Sequence, residues 1–255
     1  MDTSLVRLIE ELAANAWPAE IVQHLGGWRL RYSGGSSRRV NSVWPNLPPA
    51  GDQIETALAA VEEFYQRHNT IPRFQICPAS LPQELPAMLA ALGYHTDAHT
   101  AVKIAPVKTV LANTKQSACK ITSSATLTEA WFQSYTRASG YMQESLPIRR
   151  GILNRIGPEK NFILLTENGK QVATGLGVLE RGWMGVFCVV TDSICRRRGF
   201  ASGVMHLLAD WGKSRGAEKI YLQVMEDNTP ALRLYQRMGF EHLYQYSYYQ
   251  KMPAF

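Results

Sequence analysis

The chain has 255 residues, 45% hydrophobic and 19% charged, a balance that excludes a disordered chain and fits a folded, soluble protein. No apolar run approaches the ~20 residues of a membrane span, so no membrane partner is expected. The net charge of +6 suits an anionic ligand, and a surface that merely happens to be basic reads equally well.

In chain order, the first residues, MDTSLVRLIEEL, read as an amphipathic helix with acidic residues. They lack the basic start and apolar core of a secretory signal, so cytoplasm is the expected location. Residues 28–32 and 39–43 read as strands, and a proline-bearing loop, 44–51, follows them. A helix is predicted over 53–68, a strand over 73–77, a helix over 81–92, then Gly93-Tyr94 and a strand ending near 104. Residues 106–117 are polar, open with proline, carry little periodicity and read as a connection. Beyond it come a strand at 118–122 and helices at 127–137 and 146–156. A strand at 162–166, an Asn168-Gly169 hairpin turn and a returning strand at 171–179 follow. After the Arg181-Gly182 turn, the pattern gives a strand at 183–190, a helix at 202–215, a strand at 219–225, a helix at 229–238 and an aromatic strand at 242–252. Cys77, Cys119, Cys188 and Cys195 are scattered, which argues against a metal site. Cys77 and Cys188 read as small core residues in apolar strands.

Residues 196–201 read Arg-Arg-Arg-Gly-Phe-Ala. They join an apolar strand to the start of a helix. Loop amides of Arg198, Gly199, Phe200 and Ala201 can point at an anion there, and the helix N-terminus adds partial positive charge. This reads as a coenzyme A pyrophosphate cradle. Further on, residues 228–240 read Asn-Thr-Pro-Ala-Leu-Arg-Leu-Tyr-Gln-Arg-Met-Gly-Phe. In order and spacing, the Arg-x-x-Gly-x-Ala loop and the Asn-x-x-Ala-x-x-Leu-Tyr-x-x-x-Gly-Phe segment resemble the GCN5-related N-acetyltransferase (GNAT) superfamily, over roughly residues 116–252.

The resemblance implies an α/β (α+β) acyl-CoA N-acyltransferase fold with acetyl-CoA as co-substrate. By resemblance, Val189 and Val190 bind the pantetheine arm and acetyl carbonyl through backbone amides. Arg196, Arg197, Arg198, Gly199, Phe200, Ala201 and Ser202 wrap the pyrophosphate. Asn228 binds the pantetheine or positions adjacent backbone, and Tyr235 protonates the leaving thiolate. The alternative for Tyr235 is an amphipathic helix residue packed on the sheet. No general base declares itself: Glu180, Asp192, Glu226 and Asp227 lie near the strand ends and read equally as surface carboxylates. Tyr141 and Glu144, in the loop between two helices, are candidates to bind substrate. Arg39 and Asn41 are further candidates, since alternation on a strand would put both on one side.

Placing Gly93 on Gly239 aligns the flanking helices and strands, which reads as a weak internal repeat. The expected architecture is two tandem GNAT-like domains with mixed, mostly antiparallel central sheets. Residues 1–106 form a degenerate domain without cofactor, 107–117 a linker and 118–255 the catalytic domain. In the first half Leu89 stands where Tyr235 does and Pro82 where Asn228 does. Pro45, Pro48 and Pro49 remove amide donors where a phosphate loop would be. An unrelated α/β domain with a similar ending is the alternative. The leading reading is a small-molecule amine acetyltransferase, monomer or homodimer, acting through a ternary complex. A protein or RNA acetyltransferase and a non-catalytic acyl-CoA sensor are the alternatives. Nucleic acid ranks low as a partner, because no interleaved aromatic and basic patch is present.

Overall fold

A computed structural model describes residues 2–49 and 54–251. Ala50 and Gly51 of the proline-bearing loop, Gln53 at the predicted helix start and Met252 at the predicted strand end lie outside the described residues. The first elements are α1 (Thr3–Ala16), β1 (Ile21–Leu25), β2 (Trp28–Tyr32), β3 (Val43–Trp44), α2 (Ile54–Arg67), β4 (Arg73–Ile76), α3 (Leu85–Ala91) and β5 (His95–Pro106). Next come α4 (Val107–Ala112), β6 (Lys120–Ser124), α5 (Glu129–Ser139), α6 (Leu146–Arg155), β7 (Glu159–Glu167), β8 (Lys170–Glu180) and β9 (Trp183–Thr191). The last are α7 (Phe200–Ser214), β10 (Lys219–Met225), α8 (Thr229–Arg237) and β11 (Glu241–Gln250). No helix among the described residues is long and apolar enough to cross a membrane.

Two compact units result. One holds the chain up to Ala101 together with the end from Tyr244 on, and the other runs from Val102 to Leu243. In the first, β1, β2 and β3 pair antiparallel in turn, β3 runs parallel to β4, and β11 pairs antiparallel with β4. Its core gathers Trp28, Leu30, Phe64, Tyr65, Phe74 and Leu89. In the second, β6, β7, β8 and β9 form an antiparallel meander, and β9 runs parallel to β10. Helix α7 packs on this sheet. Gly175 on β8 permits the approach, because a Cβ there would strike Val204 of α7.

Each unit repeats a parallel strand, a helix, a second parallel strand and a short helix closed by glycine. Gly93 has φ +80° and Gly239 φ +88°, the left-handed conformation that glycine takes at a helix end. The hydrogen bonds match as well. Tyr94 N donates to Leu89 O at 2.9 Å, and Phe240 N donates to Tyr235 O at 3.0 Å. This is the register that pairs Leu89 with Tyr235.

Three sequence expectations need correction. Residues 39–43 are not a strand. Arg38–Val40 is a 3-10 turn and the strand starts only at Val43, so the alternation argument for Arg39 and Asn41 fails. The helix predicted from 81 begins at Leu85, because Pro82 has no amide to give a helix and Leu81 N donates instead to Pro45 O at 2.6 Å. The connection at 106–117 contains α4, which packs on α7 and buries Val107 and Val110. Strand β1 was not anticipated, since its residues are mostly exposed and carry no apolar alternation.

The first unit is organised around a buried carboxylate. Glu10, on the inner face of α1, is 2% exposed. It accepts from Tyr244 Oη at 2.5 Å, Gln75 Nε2 at 2.6 Å and Trp44 Nε1 at 3.0 Å. Buried Arg31 donates to Gln75 Oε1 at 2.9 Å and to Ser42 Oγ at 3.0 Å. Burial raises the carboxyl pKa of Glu10, against the opposing pull of Tyr244, Arg31 and Trp44. Glu10→Ala would strand three buried donors and is expected to cost about 3–5 kcal/mol in urea unfolding. The raised pKa also fixes a sign. The contribution of Glu10 is fully present below the ordinary value of 4.5 and is lost as the pH rises through the folded value. Stability of Glu10→Gln minus that of wild type should therefore increase with pH above 4.5, read from unfolding curves across the range.

Candidate active site

The site in the second unit begins with a break in strand pairing. β9 and β10 are registered from Trp183↔Lys219 to Val186↔Leu222, and the register ends there although both strands continue. On the other side, β8 pairs Thr174 with Val190 and Leu176 with Phe187. Gly175 therefore faces two residues, Cys188 and Val189, which makes a β-bulge on β9. Cys188 takes the left-handed conformation, φ +54°, at a cost of about 1 kcal/mol for a residue with a side chain. Thr174 Oγ1 holds its carbonyl by donating at 3.1 Å. The bulge bends β9 and parts it from β10. Burial changes there too: Trp183 to Phe187 are buried, while Cys188, Val189 and Val190 are half-buried.

The loop after β9 turns in two left-handed steps, Arg197 at φ +63° and Gly199 at φ +83°. Asp192 caps the short turn before it by accepting from Ile194 N at 3.3 Å. Gly199 is the N-cap of α7 and supplies no side chain to its first turn. The amides of Phe200, Ala201 and Ser202 thus have no intrahelical acceptor, because helix bonding starts with Gly203 N to Gly199 O at 3.0 Å. A Cβ built on Gly199 meets nothing within 4 Å. The space in front of the helix is open to an anion, which fits a coenzyme pyrophosphate. Arg196, Arg197 and Arg198 are exposed. Arg198 is tied to Glu167 at 2.8 Å, with its guanidinium 5.0 Å from the Phe200 ring centroid. A cavity of about 1110 Å³ adjoins the start of α7, and Lys115, Lys120, Arg198 and Ser202 are among the residues that line it.

Because β9 and β10 are parallel, the loops leaving their C-terminal ends lie at the same edge of the sheet. Asn228, after β10, caps α8 by accepting from Ala231 N at 3.2 Å. Its oxygen thus positions the adjacent backbone. Tyr235 is half-buried two turns into α8, its ring 5.7 Å from Phe240 in an edge-on contact. Loss of solvent pushes its phenol up to about 12. The proton therefore stays on Tyr235 throughout the neutral range.

The remaining candidates separate by unit. Tyr141 accepts a hydrogen bond from Tyr135 Oη at 3.1 Å and carries the Arg149 guanidinium 3.3 Å from its ring centroid. Tyr135 is buried, and its hydroxyl pKa is raised first by that burial and next by nearby Cys188. The Tyr135 ring lies 5.1 Å from that of Trp131, whose Nε1 donates at 3.2 Å to the carbonyl of Gly175, opposite the bulge of β9. Glu144 is exposed on a single 3-10 turn. In the first unit, Asn41 is 1% exposed. Its side chain accepts from Ser33 N and Gly35 N and donates to Ser37 O, all within 3.0 Å, so it holds its own loop. Burial pulls the Arg39 guanidinium pKa down, and Tyr246, Tyr248 and Glu10 outweigh it, leaving the pKa raised. Of the carboxylates near the strand ends, Asp192 pairs with Arg137 at 3.6 Å, Glu180 pairs with Arg181 at 3.4 Å, and Glu226 and Asp227 are exposed. No cluster of metal-binding side chains occurs among the described residues. Sequence reasoning missed Tyr135 and the conformation of Cys188. Cys188 is half-buried rather than a core residue, and only a glycine would have signalled its φ.

The fold and the site define a GNAT acyltransferase. A family model described as "Probable histone acetyltransferase Rv0428c C-terminal" matches residues 3–249, and the chain belongs to that family within the GNAT superfamily. It is 30% identical over 246 residues to the "Uncharacterized N-acetyltransferase YobR" of Bacillus subtilis, spanning 95% of this chain and 97% of that one. A GCN5-related N-acetyltransferase from Kribbella flavida shares the fold, with TM-score 0.69 and 14% identity over 97% of this chain and 95% of that one. A tandem GNAT protein from the clavulanic acid biosynthesis pathway does so with TM-score 0.65 and 11% identity over 84% of this chain and 76% of that one.

Thr174→Val keeps the shape of the residue and removes the bond to the Cys188 carbonyl. It is expected to cost about 1 kcal/mol in denaturant unfolding. Acetyl-CoA affinity, measured by calorimetry, should fall several-fold as the bulge loosens. Unchanged affinity would show that the bulge holds its form without that hydroxyl.

Proposed function

We propose that this acetyltransferase moves an acetyl group from acetyl-CoA to the amine of a small molecule, in a ternary complex at one site in the second unit. The observation that carries this reading is the parting of β9 from β10 at Cys188, directly before an open helix N-terminus. The backbone at Val189 and Val190 would hold the pantetheine and acetyl carbonyl. The amides of Gly199, Phe200, Ala201 and Ser202 would hold the pyrophosphate, and Arg196 and Arg197 would face its charge. Lys115 and Lys120, which line the adjoining cavity, suit the ribose phosphate of the coenzyme. In the first unit, Leu81 N bonds to Pro45 O between the loops that follow its own parallel strands. This supports our reading of that unit as a degenerate repeat without cofactor.

In the reaction, the amine nitrogen attacks the thioester carbonyl carbon, and a C–N bond replaces the C–S bond. The electron pair of the broken bond leaves on sulfur. The Tyr235 phenol supplies the proton that sulfur takes, and regains one from the nitrogen by way of water. No carboxylate is committed as base, so the acceptor amine arrives neutral. The family model's description names a histone acetyltransferase, which supports a protein amine as a second reading. That reading predicts binding that weakens steeply with salt.

Tyr235→Phe keeps the ring contact with Phe240 and removes the proton. Expected is a fall in kcat of about 10²-fold with acetyl-CoA binding unchanged. Wild-type kcat should show no alkaline limb from this group below about pH 10, because its phenol is held near 12. Steady-state kinetics across pH 6–10 on both proteins check this. Equal kcat in the two proteins would remove Tyr235 from the chemistry.

A further inference from the structure

We propose that Arg149 and Tyr141 form a carboxylate clamp, so that the preferred acceptor is an amino acid or a similar amine with a carboxylate beside the reacting nitrogen. The inference rests on the active-site reading above.

Several arginines of the second unit already have a carboxylate. Arg150, the next residue on α6, pairs with Glu129 at 2.9 Å. Arg137 pairs with Asp192 at 3.6 Å, Arg198 with Glu167 at 2.8 Å and Arg215 with Glu159 at 2.6 Å. Arg149 has no carboxylate among the described residues. Its guanidinium lies 3.3 Å from the Tyr141 ring centroid, and its Nε is buried without a hydrogen-bond partner. A cation stacked on a ring in this way keeps its planar donor edge free for a carboxylate.

Tyr141 adds a second donor. Its oxygen accepts from Tyr135 Oη, and its own proton has no acceptor among the described residues. The pair is joined through Tyr135 to Trp131, whose ring lies 5.1 Å away and whose Nε1 donates at 3.2 Å to the carbonyl of Gly175, the β8 residue opposite the bulge of β9. The clamp therefore sits beside the strand segment to which the acetyl group is assigned. An acceptor whose carboxylate met Arg149 and Tyr141 would present its amine toward that segment. A lysine side chain of a protein has no carboxylate next to its amine, so the clamp favours a small acceptor.

The test uses the full chain and two matched pairs. Initial rates with acetyl-CoA compare L-phenylalanine with phenethylamine. Calorimetry compares the products, N-acetyl-L-phenylalanine and N-acetylphenethylamine, and needs no turnover. The expected result is a preference of about ten-fold or more for the carboxylate member in each pair. Arg149→Met should erase the preference and Arg149→Lys should keep part of it, both with unchanged acetyl-CoA binding. Equal binding of the two products, binding of neither, or a preference that survives in Arg149→Met would overturn the clamp. Failure of the wild type to bind acetyl-CoA, with the carboxylate preference intact, would sink the active-site reading and leave the clamp standing.

Discussion

The separation of β9 from β10 is the constraint from which the rest of the site follows. Parallel strands normally satisfy each other's backbone along their whole length. Here the pairing ends at Val186↔Leu222, because a two-for-one bulge turns β9 at Cys188. The turn carries backbone strain at Cys188, and the Thr174 hydroxyl and the β8 ladder hold it in place. Without that divergence, the amides at Val189 and Val190 would face a neighbouring strand. With it, the registered pairing to β10 stops short of them, and β9 runs on into the loop before the uncapped start of α7. On the function proposed above, this distortion would serve the acyl arm and the start of α7 the pyrophosphate.

The first unit shows the same parallel strand–helix–strand plan put to another use. The loops after β3 and β4 bond to each other through Leu81 and Pro45. Glu10, Gln75, Trp44, Tyr244 and Arg31 form a buried polar network in which each donor and acceptor serves a neighbour. Such a network specifies a single packing when complete and is costly when broken. Asn41 plays a similar part for the loop at 33–37. In the second unit the amides of Phe200, Ala201 and Ser202 have no acceptor within their helix.

Much of the second unit was legible in the sequence because its signals are local. Asn168-Gly169 dictated a hairpin, Gly199 a helix entry and Gly239 a helix exit, and each stands where the pattern put it. The repeat was legible for the same reason, since Gly93 and Gly239 need the same left-handed turn. Residues 39–43 misled because Val40 between polar neighbours looks like strand alternation, while the Asn41 side chain stabilises a tight turn instead. The short α4 hid behind Pro106, its helical stripe reduced to two valines. The exchange of β11 into the first unit has no local signal, because strand partners are chosen across the fold. Tyr135, Tyr141 and Arg149 come from different stretches of chain, and only folding brings them together.

The central claim is that one repeat keeps an acyl-donor site and the other does not. Isothermal titration of acetyl-CoA into the wild type and into Gly199→Glu tests it most directly. The account predicts one site per chain in the wild type and none in the variant, whose added carboxylate stands before the α7 amides. Two sites per chain, or one site that survives the substitution, would contradict it.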